Sequence, residues 1–342
     1  MVRRTDYMTA RRNRRWRGGN AALVALVALG AGVWWNFLRG DAVEQEISAS
    51  AERQPMLTTD RPESPSPPPQ TAVSEKGDTP PPPAPIESVD ADAKRVETLL
   101  STGKEALARG ELIAARSYLS EAYLRGLDAP QTALLRAELT RIGQETIFSG
   151  RVLPDDPLAE SYIVKPGDTL GKIAKQHRIS DDLVAEINGL TDKNSIRIGQ
   201  TLKLVHGPFH AMVHKQSFVM DVFLDRVLVK HFKVGLGAEG STPTGEWRVG
   251  TKLVNPTYYP PRGGQVIAAD DPQNPLGERW IGLVGVSGAA VGQERYGIHG
   301  TIEPQSIGQN VSLGCVRMYN EDVAQLYSYF VEKYSTVTIV GD

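Results

Sequence analysis

The sequence predicts a multidomain chain: a single transmembrane helix, a proline-rich linker, an α-helical segment, a small βααβ unit and a mainly-β C-terminal domain. Three observations predict it. An uncharged apolar run stands near the N-terminus, apolar residues recur at helical spacing between 92 and 148, and from His210 onward apolar and polar positions alternate with a period of two. At 342 residues, 40% hydrophobic and 23% charged, the chain has room for two or three domains.

The formal net charge of -2 is unevenly spread. Residues 1–20 carry Arg3, Arg4, Arg11, Arg12, Arg14, Arg15 and Arg17 against Asp6, a local charge of +6, so the remainder sums to -8. A basic block of this kind fits nucleic acid when it stands alone. Here it precedes AALVALVALGAGVWWNFL (21–38), where Asn36 is the one polar side chain and the length just suffices to span a bilayer. The arginines predict a cytoplasmic tail (1–20), a single-pass signal anchor in the cytoplasmic membrane (21–38) and an extracytoplasmic, periplasmic remainder, with no nucleic-acid partner. A cleaved signal peptide is the rival, but the small residues of ISASA (47–51) lie far past the apolar run.

Residues 52–90 hold eleven prolines, including PSPPP (65–69), and cannot build a core. They read as an extended, disordered linker that could reach on the order of 120 Å at ~3.1 Å per residue. Residues 92–148 change character: apolar residues fall at helical spacing, Gly110 separates two helices, Gly126 ends the second, and a third covers about 130–148. Gly103, Gly110, Ala115, Leu119 and Ala122 are placed as in one tetratricopeptide unit, with no second copy. A helical spacer or self-association element is the simplest reading, and a protein partner is the alternative.

Tyr162 to Val205 reads as a strand, a Pro-Gly-Asp turn, two short amphipathic helices and a closing strand, with Ser180 as N-cap of the second helix. The pieces YIVKPGDTL, IAKQHRIS, INGL and IRIGQTLKLV resemble the lysin motif (LysM) over the whole of 162–205. That resemblance implies a βααβ fold that binds N-acetylglucosamine-containing glycan in a groove between two loops. It points to Gly167, Asp168, Thr169 and Leu170 on one side and Asn188, Gly189 and Leu190 on the other. Asp168 and Thr169 read equally well as a helix cap.

The C-terminal segment alternates as strands do, and LYSYFVEKY reads as one short helix. It contains the chain's one cysteine, Cys315, in VSLGCVRMYN. A lone Cys forms no internal disulfide, so it is either a small buried hydrophobe or a nucleophile. Of six histidines, His210 and His214 share a strand face, yet no further ligands complete a zinc site and no metal is expected. His299 lies in RYGIHGT between Gly297 and Gly300, sixteen residues before Cys315. A thiol beside an imidazole can ionise as a thiolate–imidazolium pair and accept an acyl group. Gly314 leaves backbone N–H groups uncovered for an oxyanion.

YGIHGTIEPQSIGQNVSLGCVRMYNEDVAQLY, with STPTGEW and NPLGERWIGL, resembles the catalytic domain of peptidoglycan L,D-transpeptidases over roughly 208–341. The resemblance implies Cys315 as nucleophile, His299 as its base and Gly300 as the carbonyl that orients the imidazole. Arg317 and Tyr296 would serve substrate binding, Gly314 the oxyanion, and Ser312 the turn. The family often carries His between the Ser and the Gly, and Leu313 stands there instead. The implied activity is cofactor-free acyl transfer on tetrapeptide stems, targeted to glycan by the LysM module. The alternatives are an L,D-carboxypeptidase using the same chemistry and a non-catalytic peptidoglycan-binding anchor.

Overall fold

The computed structural model describes residues 87–261 and 263–341. The basic tail, the 21–38 run and the linker up to residue 86 lie outside them, and among the described residues no helix is long and apolar enough to cross a membrane. Where the linker was expected to continue to residue 90, helix α1 (Glu87–Ala108) has already begun. Pro85 is the last proline before it, and none lies within residues 87–108 to remove a helical N–H.

Helices α2 (Leu112–Leu124) and α3 (Ala129–Thr146) follow α1. Gly110 makes the first turn at φ +76°, and the Asp128 side chain caps α3 by accepting from Gln131 N at 2.8 Å. Gly103 lets α1 and α2 approach closely, since a Cβ there would fall 2.6 Å from Leu119 Cδ2. Segment 162–205 is built on a two-stranded antiparallel sheet, β1 (Ala159–Ile163) with β2 (Thr201–Val205). Helices α4 (Leu170–Gln176) and α5 (Asp181–Ile187) pack on it, capped by Thr169 and Ser180.

The remaining strands are β3 (Phe209–His214), β4 (Val219–Leu224), β5 (Val227–Lys233), β6 (Leu236–Gly237), β7 (Gly245–Val254), β8 (Arg279–Gly285), β9 (Tyr296–His299), β10 (Asn310–Ser312), β11 (Val316–Arg317) and β12 (Thr336–Val340). Eight of them form one mixed sheet in the order β11-β9-β8-β7-β12-β3-β4-β5, while β10 pairs β6 in parallel. Helix α6 (Asn320–Tyr329) supplies Val323, Leu326 and Tyr329 to the core of this mainly-β domain.

The helical segment is not a free spacer. Leu119, Leu135, Leu139 and Ile142 bury their apolar face against Phe223 and Leu228 of the sheet. Contact is close enough that a Cβ on Gly143 would fall 2.2 Å from Val229 O. A buried carboxylate anchors the joint. Asp221 on β4 receives Arg136 Nε at 2.9 Å, lies 3.0 Å from His214 Nε2 and accepts from the Tyr123 hydroxyl. Removing Asp221 would leave the Arg136 guanidinium buried without its counter-charge.

The βααβ module is joined as firmly. Its apolar residues and those of the eight-stranded sheet form one continuous core, in which Tyr329 of α6 stacks with Phe148 at 4.6 Å and Phe209 at 5.7 Å. Lys203 of β2 donates to Thr146 O at 2.6 Å and Ser149 O at 2.8 Å, so its cation meets the open carbonyls at the end of α3. Burial pushes this lysine down to about 8.

Candidate active site

Strands β9 and β11 run parallel, with Ile298 beside Val316 and His299 beside Arg317. Ile298 and Val316 are fully buried in the core. Because successive side chains alternate across a strand, His299 and Arg317 face the other way, and so does Cys315, one residue before β11. On that face Trp280 of β8 pairs with His299 and stacks on its imidazole, centroids 5.8 Å apart. Gly297 makes room for the indole, since a Cβ there would fall 2.5 Å from Trp280 Cζ2.

His299, Cys315 and Arg317 line a cavity of about 540 Å³. Its walls come from Trp280 and Leu276, from Ser312 and Leu313, and from the β7–β8 connection through Tyr258, Tyr259 and Pro260. A larger cavity, about 950 Å³ among the described residues, lies between α2 and segment 151–158 and holds no cysteine or histidine. The aromatic and proline wall was not singled out from the sequence, although the density of Tyr and Pro in NPTYYPP was the signal for it.

The turn that carries the thiol is held from three sides. Ser312 Oγ donates to Cys315 O at 2.7 Å and accepts from Gly314 N at 3.1 Å. Thr242 Oγ1 donates to Gly314 O at 2.9 Å and accepts from Gly237 N at 2.8 Å, which gives the STPTG segment its structural use. Gly314 itself sits at φ +133°, and a Cβ would collide with Tyr296 Cε1 at 2.6 Å. Of the backbone N–H groups expected to stand uncovered around Gly314, its own is not open: in this tight turn Ser312 Oγ takes it. Tyr296 stands behind the turn rather than in the cavity, its hydroxyl donating to Ser241 O at 3.2 Å and its ring against Trp247.

His299 Nδ1 lies 2.6 Å from Gly300 O. A carbonyl can only accept, so Nδ1 carries the hydrogen and Nε2 keeps its lone pair. Burial pushes His299 down to about 4, with the Gly300 carbonyl opposing the shift and the Arg317 charge adding to it. Burial pushes the Cys315 thiol up, while a hydrogen bond from the Gly297 backbone and the Arg317 charge pull it back. The thiol points to Arg295 O at 3.7 Å. Burial thus works against both charged forms, the thiolate of Cys315 and the imidazolium of His299. Arg317 Nη1 donates to Glu303 Oε2 at 2.8 Å.

The seven LysM residues divide differently. Leu170 is 2% exposed and belongs to the core, so its side chain cannot meet a sugar. Asp168 closes its loop by accepting from Tyr162 OH and Lys165 N, both at 2.8 Å, and Thr169 caps α4. Asn188 ties the end of α5 to β2, donating to Lys203 O and accepting from Lys203 N. Leu190 packs against the core, and Gly167 and Gly189 turn the loops at positive φ.

Residues 208–339 match the YkuD L,D-transpeptidase catalytic domain, and residues 162–205 match the LysM domain. Over 174 residues the chain is 34% identical to "Putative L,D-transpeptidase YkuD" of Bacillus subtilis (strain 168), covering 49% of this chain and 92% of that protein. It is 38% identical over 124 residues to "Putative L,D-transpeptidase YqjB" of the same organism, 35% of this chain and 65% of the relative. Over 46 residues, 14% of each chain, it is 50% identical to the N-acetylmuramoyl-L-alanine amidase XlyB of Bacillus subtilis (strain 168).

Proposed function

Because the chain belongs to the L,D-transpeptidase family, we propose that it is a cysteine acyltransferase acting on tetrapeptide stems of peptidoglycan. The observation that supports this reading most directly is the meeting of Cys315, His299 and Arg317 in one cavity. The Cys315 sulfur attacks the carbonyl that links the stem's third residue, an L-configured diamino-acid centre, to the terminal D-alanine. As the C–S bond forms, the thiol proton passes to His299 Nε2, the ring nitrogen that the Gly300 contact leaves bare. Burial lowers the pKa of the base and raises that of the thiol, which favours a proton transfer that accompanies attack over prior formation of an ion pair.

The tetrahedral oxyanion meets the amide of Cys315 itself, since that of Gly314 is held by Ser312. The C–N bond then breaks, D-alanine leaves with the proton returned from Nε2, and an acyl-enzyme remains. An amine of a second stem attacks this thioester to give a cross-link and restore the thiol; water in its place gives a trimmed stem. Arg317 meets a substrate carboxylate in competition with Glu303.

The LysM module holds glycan, and the core it shares with the catalytic sheet keeps that glycan at a set distance from Cys315. The 21–38 run anchors the chain in the cytoplasmic membrane, with the linker carrying the folded part out to the wall. Purified muropeptides incubated with the protein and analysed by mass spectrometry test the reading. Loss of terminal D-alanine is expected from the unaltered protein and none from Cys315→Ala; product formation by Cys315→Ala would contradict it.

A further inference from the structure

We infer that Asn320 is a positioning residue that sets the tautomer of His299 through a single peptide unit, an inference that rests on the proposed role of His299 as base. The His299 Nδ1 contact with Gly300 O spans adjacent residues, 2.6 Å apart. It exists only while the Gly300–Thr301 peptide keeps its carbonyl turned back on the ring. The N–H of that same peptide belongs to Thr301, and it donates to Asn320 Oδ1 at 2.9 Å. Asn320 Nδ2 donates to Thr301 O at 3.1 Å, which completes a two-point clamp and fixes which end of the amide faces which group. A trans peptide holds its N–H and C=O in one plane, pointing in opposite directions, so gripping the N–H aims the carbonyl. Accepting that N–H also polarises the peptide and makes its oxygen a better acceptor for Nδ1–H.

The surroundings are shaped to admit this amide. A Cβ on Gly300 would fall 2.0 Å from Asn320 Oδ1, and one on Gly277 would fall 2.4 Å away. Two glycines from separate loops thus clear the space that one side chain enters. Asn320 opens α6, and an asparagine near a helix start commonly caps it, yet the cap position is Tyr319 and makes no side-chain bond. The amide is turned to the His299 loop instead. The chain of contacts runs from Asn320 Oδ1 to the Thr301 N–H, through the peptide to Gly300 O, to Nδ1–H, and leaves Nε2 free to take the thiol proton.

The test uses the whole folded chain, the substitutions Asn320→Ala and Asn320→Asp, and long-range proton–nitrogen NMR of the histidine rings, with His299 assigned by its loss in His299→Gln. The unaltered protein should show a pure Nδ1–H ring. Asn320→Ala should show mixed tautomers and about a tenfold slower single-turnover acylation of Cys315 with little change in KM. Asn320→Asp keeps an acceptor toward Thr301 N–H, so it should restore the Nδ1–H tautomer while its charge raises the pH at which His299 titrates. A folded Asn320→Ala with unchanged ring signals overturns the inference. Should that variant fail to fold, an Asn320→Asp protein with unaltered tautomer and unaltered titration overturns it instead. The ring signals need no turnover: unchanged rings with active Cys315 sink the Asn320 role alone, and an unaltered protein that never releases D-alanine sinks the proposed reaction alone.

Discussion

Lowering the pH should stop acylation far later than an ordinary histidine base would allow. Burial holds His299 at about 4, against 6.5 for an unperturbed imidazole. At about pH 5.5 a base of pKa 4 is still ~97% unprotonated, whereas one of pKa 6.5 is ~9% unprotonated, so the two cases differ about tenfold in rate. The assay is single-turnover release of D-alanine from a soluble tetrapeptide muropeptide between pH 3.5 and 9, with circular dichroism on the same samples. The acylation half is chosen because the second half needs a neutral acceptor amine with its own titration. The same shift touches stability. The folded pKa lies below the unfolded one, so the unfolded chain binds this proton first. The contribution of neutral His299 is complete above about pH 6.5 and drains away toward about pH 4, ~3 kcal/mol in all. A rate plateau from about pH 5 upward, falling only near pH 4, is the expected profile. An acid limb centred near 6.5 in a protein that stays folded would refute the buried, neutral base.

Gly314→Ala should cost ~2–4 kcal/mol of stability and nearly abolish acylation, because a Cβ at φ +133° meets Tyr296 Cε1 at 2.6 Å and moves the turn that carries the thiol; thermal melting and iodoacetamide labelling of Cys315 read both effects. Deleting residues 162–205 should abolish the cooperative melt of the catalytic domain, since the LysM module completes its core. A shortened protein that melts cooperatively and acylates at the full rate would show the two modules to be independent.

The sequence made the site legible where chemistry is local. Cys315 and His299 each carry their own glycines, and the resemblance across 208–341 joined them to one reaction. Helix ends were legible for the same reason: Ser180 and Gly110 act on their own neighbours. Periodicity showed that residues 92–148 are helical, but not that their apolar face lies on Phe223 and Leu228, because a stripe records burial and not its partner. Leu170 read as a groove residue and is core, since a motif position does not tell which way a side chain turns. The burial that works against the charged forms of Cys315 and His299 is made by the fold and not by their local sequence. Asn320 gave no signal at all, because its partners, Thr301 and Gly277, are brought to it only by the fold.

The central claim is that Cys315 carries the acyl group. It is tested most directly by quenching the reaction in acid while substrate is in excess and weighing the intact protein. The account predicts one added mass, equal to the tetrapeptide muropeptide less D-alanine, mapped by proteolysis to Cys315 and absent from Cys315→Ala. A carbapenem, offered in place of the stem, should give a single adduct at the same sulfur. D-alanine release without any adduct on Cys315, or an adduct on another residue, would contradict it.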